Sequence, residues 1–136
     1  MKKIVILLAV LGCVVAAIWL AGSMPNWRVN ARMARLDTDI QNLFDGLQQY
    51  KEHVGSYPTG SNAQLVKALR GQNPKNIIIL VSRKNELNAK GEFVDPWGTP
   101  FRIYFSDASV LIRSAGPNGR FDDSSIAESD DYYRSN

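Results

Sequence analysis

This chain of 136 residues lacks a second cysteine and a second histidine. Cys13 alone forms no internal disulfide, and His53 alone builds no His-rich metal site. A basic stripe is lacking too. Lys and Arg number 16 against 13 acidic residues, and Lys2 and Lys3 precede the first apolar run, so the remainder is close to neutral. That excludes a nucleic-acid binder, whose footprint is a basic face. No repeat is visible. The length suits one domain with an appendage and is too short for two independent cores. With 45% hydrophobic residues, the chain is not disordered throughout.

Charge is absent over a long N-terminal stretch. After Met1-Lys2-Lys3, residues 4–21 carry no ionisable group except Cys13 and are almost wholly apolar, which reads as a transmembrane segment over 1–24. At ~1.5 Å rise per residue, a helix of that length spans roughly 27 Å, near the thickness of the hydrocarbon layer. Three processing fates fit the residues: an uncleaved anchor, a secretory signal cut after Ser23, and a lipoprotein box at Val10-Leu11-Gly12-Cys13. The anchor fits best, because the apolar run exceeds the ~7–15 residues of a signal peptide. The basic flanks nearly balance, with Lys2 and Lys3 on one side and Arg28, Arg32 and Arg35 on the other. The signal-like start places the body outside the cytoplasm, in single-pass inner-membrane topology.

Pro25-Asn26 then interrupt the chain, and an apolar stripe begins at Val29. It continues through Met33, Leu36, Ile40, Leu43, Leu47, Tyr50 and Val54, the spacing of one helix face. Two readings fit it, a coiled coil and a helix lying on its own small domain, and the second suits the length of chain that follows. Gly46 is a weak point inside the helix, and Gly55 ends it. His53 near that end is a surface cation facing the helix dipole rather than a general base.

The extracytoplasmic body, 25–136, continues after the helix of 25–55 with a turn at Ser56-Tyr57-Pro58-Thr59-Gly60 and a short helix over 62–70. Residues 76–81 form an apolar run, either a strand or a buried extended segment. A hairpin of strands 101–106 and 109–114 follows, with Phe101, Ile103 and Phe105 on one face. The C-terminal stretch is an acidic loop, with Asp122, Asp123, Glu128, Asp130 and Asp131 placing five carboxylates in ten residues. Asp95-Pro96-Trp97-Gly98 reads as structural, with its prolines fixing the backbone and Trp97 packing near Tyr57 and Pro58. Serines are plentiful, but no base and orienter accompany them, so an enzyme is not expected. Cys13, inside the apolar segment, is an inert packing residue.

Taken in order, the apolar segment, proline, long amphipathic helix, Tyr50-Lys51, Gly55-Ser56-Tyr57-Pro58-Thr59, Asp95-Pro96-Trp97-Gly98-Thr99-Pro100-Phe101 and Ser114-Ala115-Gly116-Pro117-Asn118-Gly119 resemble protein G, the major pseudopilin family of type II secretion systems, and its pilin-like relatives. The resemblance implies an α+β, pilin-like fold, in which a long N-terminal helical spine packs on a small antiparallel sheet. It also implies a structural subunit that packs through its spine with other pilin-like subunits. By that resemblance the family's cleavage glycine falls on Lys3, and the glutamate of the block that follows the cut falls on Leu8. Loss of that carboxylate removes a device for subunit registry along with its cost in lipid. A second reading follows: a solitary membrane-tethered binding module that does not polymerise.

The resemblance further implies a calcium loop that pins the C-terminus. Asn118 falls where the family carries the first aspartate, and the later pair falls on Asp122-Asp123 or on Asp130-Asp131, depending on an insertion. Calcium takes six to eight oxygens, and the alternative is a solvated acidic tail. The partners expected are therefore lipid along residues 4–21, other pilin-like subunits and Ca2+, with neither a nucleic acid nor a small-molecule substrate.

Overall fold

The computed structural model describes residues 13, 27–81, 86–107, 109–122 and 129–135. The chain divides into two compact units, Met1–Ala31 and Arg32–Asn136. In the first, Cys13 is exposed, and the Arg28 guanidinium lies 5.4 Å over the ring of an exposed Trp27. The apolar stretch of 4–21 otherwise lies outside the described residues, among which no helix is long and apolar enough to cross a membrane.

Helix α1 runs over Trp27–Val54. Leu36, Ile40, Leu43, Leu47 and Tyr50 of the apolar stripe are buried, and Phe44 joins them beside it. Each such side chain contributes about 1.5–3 kcal/mol on burial, so this face holds the second unit together. Met33 is only half-buried and Val29 is exposed. From Leu36 to Tyr50 the helix therefore lies on its own domain. Its outer surface is polar, with Gln41 donating to Asp45 and Gln48 to Glu52, each at 2.9 Å across one turn. Gly55 closes the helix at φ +97°, its N–H bonded to Lys51 O at 2.8 Å.

Helix α2, Asn62–Leu69, starts from a capping box between Ser61 and Gln64 and buries Leu65, Val66 and Leu69. The apolar run at 76–81 makes no regular strand. It pairs once, Ile78 with Arg70, while Asn73 holds its start by donating to Ile77 O at 2.7 Å. Ile79 and Leu80 turn onto the core, whereas Ile77, Ile78 and Val81 are exposed. The buried segment expected there is covered only at the adjacent Ile79 and Leu80, and only in part.

Strands β1 (Arg102–Phe105), β2 (Val110–Ser114) and β3 (Tyr132–Ser135) form one antiparallel sheet in that order. The hairpin matches the alternation in the sequence, with Ile103 and Phe105 turned inward and Arg102 and Tyr104 outward. The third strand replaces the end of what the sequence suggests is an acidic loop. Leu111 pairs with Ser135 and Ser114 with Tyr132, so the C-terminus returns along β2. Tyr57 packs its ring on Phe105 at 5.4 Å, and Trp97 stacks on Tyr132 at 6.2 Å.

Gly46 offers a test of the α1 packing. A Cβ built there meets Leu80 at 3.7 Å, an ordinary contact. Gly46→Ala should therefore raise stability by about 0.5–1 kcal/mol, read as a higher urea midpoint at unchanged slope. A lower midpoint would show that Leu80 fills this space more tightly than the geometry indicates.

Candidate functional site

Two polar constructions meet at the C-terminal end of β2. The first is built on Asp95, a carboxylate only 2% exposed. Its Oδ1 accepts the backbone N–H groups of Trp97 at 3.0 Å and Thr99 at 2.9 Å. Its Oδ2 accepts the Ser114 hydroxyl at 2.7 Å, and Ser114 Oγ in turn accepts Gly116 N–H at 3.1 Å. The Asp-Pro-Trp-Gly and Ser-Ala-Gly segments are thereby one bonded unit. All of these bonds are internal, in keeping with a structural reading of the motif.

Asn62, the first residue of α2, closes the other end of the same loop. Its side-chain amide donates to Phe93 O and Phe101 O at 3.0 Å each, and its Oδ1 accepts Phe93 N–H at 2.7 Å. Nothing in the local sequence signals this, because the partners lie 31 and 39 residues away.

The second construction is the acidic cluster. Asp122, Asp130 and Asp131 bring carboxylate oxygens within 4.8 Å of one another, each residue half-buried. Asn118 joins them as a donor: its backbone N–H bonds Asp130 Oδ2 at 3.0 Å and its side-chain amide bonds Asp122 Oδ2 at 2.9 Å. The Asn118 oxygen is turned to Arg120 N–H at 2.6 Å. Asp123 lies outside the described residues. Asp130 Oδ1 is buried and has no hydrogen-bond partner among the described residues.

Arg113 of β2, unremarkable in the sequence, enters the cluster. Its Nε donates to Asp131 Oδ2 at 2.6 Å, and its Nη2 contacts the same oxygen and the Asp122 carbonyl. Burial works against the guanidinium charge. The hydrogen bond to Asp131 and the fields of Asp131, Tyr133 and Tyr104 outweigh it, leaving the Arg113 pKa above the ordinary arginine value.

Three carboxylates against one guanidinium leave two negative charges in this group. An all-oxygen donor set with that excess and an orphaned buried oxygen suits a hard divalent cation. The residues present fit calcium, which Asp122, Asp130 and Asp131 would hold.

Two substitutions test this end of the fold. Asp95→Ala strands three donors and should cost about 3–5 kcal/mol, against about 1–2 kcal/mol for Ser114→Ala, both read by chemical denaturation. Equal, small losses would remove Asp95 from its central place. Gly116, at φ +66°, lies so close to the Asp130 backbone that any Cβ would collide with it. Gly116→Ala should cost at least about 1–3 kcal/mol and expose the half-buried Tyr132 to solvent, seen as changed tyrosine fluorescence.

The family model of type II secretion system protein G matches residues 26–129. No curated protein matches the chain. Among solved structures, the crystal structure of the major pseudopilin from the type 2 secretion system of enterohaemorrhagic Escherichia coli is similar, at 22% identity over 81% of this chain and 94% of that one, with a TM-score of 0.45. With 104 consecutive residues of its 136 spanned by that family model, the chain belongs to the type II secretion system protein G family.

Proposed function

We propose that this protein is a pseudopilin-like structural subunit of a type II secretion apparatus, anchored in the inner membrane through residues 4–21. Its helix α1 joins it to other pilin-like subunits, and its sheet domain stands in the periplasm or an equivalent extracytoplasmic space. The role is mechanical rather than catalytic. The observation that carries this reading is α1 itself, a spine of 28 residues whose inner face is covered by its own domain from Leu36 to Tyr50. Its outer face is left to meet other subunits.

Leu8 and Lys3 favour the second reading, a tethered module that does not polymerise, because the registry carboxylate and the cleavage glycine are both replaced. Cysteines placed along the polar face of α1, at Gln41 and Gln48, should cross-link in membranes into ladders of several subunits if the spine assembles. Monomers alone at every position would leave the tethered module. The N-terminal mass of protein extracted from membranes should retain Met1; a mass beginning at Met24, or lipid on Cys13, would replace the anchor.

Calcium completes the proposal. Bound by Asp122, Asp130 and Asp131, it would neutralise the cluster and fasten the entry of β3 to the turn at Gly116–Gly119. Millimolar calcium should raise the thermal midpoint by about 5–10 °C over that in chelator. Asp130→Asn should remove most of that rise. An unchanged midpoint in the native protein would end the metal assignment.

A further inference from the structure

Arg113 is placed as a cation already in the site. Its guanidinium contacts Asp131, whose side chain is fully buried, and the aromatic rings of Phe121 and Tyr133 lie 5.3 and 4.9 Å from it. Arg113 is paired with Tyr133 across β2 and β3, so the guanidinium sits at the point where the third strand joins the sheet. Asp131 Oδ2 is taken by this contact, while its Oδ1 accepts Asp122 N–H at 3.4 Å. Asp130 Oδ1, two residues before β3, is buried and unpartnered among the described residues. One carboxylate of the three is thus compensated from within the chain, and another holds an oxygen free for a cation.

We propose that Arg113 is the internal competitor of the metal: it shares Asp131 with the bound calcium, lowers the site's affinity, and keeps β3 docked when calcium is absent. This rests on the calcium reading above and deepens it. A guanidinium cannot be replaced here by any positive charge. Its fork reaches Asp131 and the Asp122 carbonyl together, and its flat faces lie against two rings. Affinity in oxygen sites follows the count of ligand charge, and removing one positive charge from beside three carboxylates raises it. The same removal leaves those carboxylates to repel one another whenever the metal is withdrawn.

The full chain in detergent micelles, titrated calorimetrically with calcium chloride, tests this. Arg113→Gln should bind calcium roughly tenfold more tightly than the native protein, with Arg113→Lys between the two. In chelator, Arg113→Gln should melt below the native protein, and calcium should restore most of the difference. Binding by Arg113→Gln that is equal to or weaker than native, or melting in chelator that matches native, would overturn the inference while leaving the calcium site standing. Absence of calcium heat from the native protein and both variants would overturn the site and the inference together. If Arg113→Gln does not fold, the native protein decides. Its Arg113 Nε–H resonance in a proton–nitrogen spectrum should shift as calcium saturates the site, and a resonance that stays in place while calcium binds refutes the sharing of Asp131.

Discussion

A buried carboxylate is tolerated only where its oxygens are bonded, and Asp95 meets that condition by joining stretches of chain that are distant in sequence. Two of its acceptor bonds shape the turn that contains Trp97 and Thr99. The third crosses to Ser114 at the end of β2. Removing the carboxylate would therefore release the turn and the strand together. Trp97, positioned by that turn, carries the constraint onward by stacking on Tyr132 at an interplanar angle of 5°. One side chain in this way holds β2 directly and β3 at one remove.

Asn62 applies the same economy at the opposite end of the loop. Phe101 N–H bonds Phe93 O at 3.0 Å, closing residues 93–101 into a loop with a narrow neck. The Asn62 amide is bonded to both sides of that neck from the start of α2. Helix, loop and sheet are thus joined by polar side chains whose every bond is internal, while the apolar stripe of α1 supplies the bulk of the burial. The division is physical. Apolar contact is non-directional and sets which face is covered, whereas the amide and carboxylate bonds fix which loop lies where.

These two kinds of interaction were not equally legible in the sequence. The α1 stripe, the helix at 62–69 and the β1–β2 hairpin follow from spacing within a few residues, and the structure has them close to where that spacing puts them. Strand β3 was not legible, since Tyr132-Tyr133-Arg134-Ser135 has little apolar alternation and its place is decided by pairing with β2 about twenty residues away. The run at 76–81 misled for a related reason: hydrophobicity marks it as buried, yet only Ile79 and Leu80 find the core. At the acidic end, Asp122, Asp130 and Asp131 stand out by their charge and Asn118 only through the family resemblance, and the fold brings the four together. Arg113 did not stand out, because a basic residue on a strand reads as solvent-facing until the partner strand is known.

Strand β3 makes the acidic end important beyond its size. It has four residues, three of them exposed, and one neighbouring strand. Apolar burial therefore contributes little to its docking, and the weight falls on side-chain contacts. The Arg134–Asp37 pair at 3.0 Å joins two exposed groups and is worth little in water. Trp97 on Tyr132 and Arg113 on Asp131 are better shielded and remain as the main fastenings. An element held by so few contacts is the first to open, and its opening is set by whatever balances the charge beside it. A cation in that cluster, whether the resident guanidinium or a metal ion, acts where the fold has least else to offer. The core is built from α1, α2 and the inner face of the sheet, so this end of the molecule can respond to its surroundings without disturbing it.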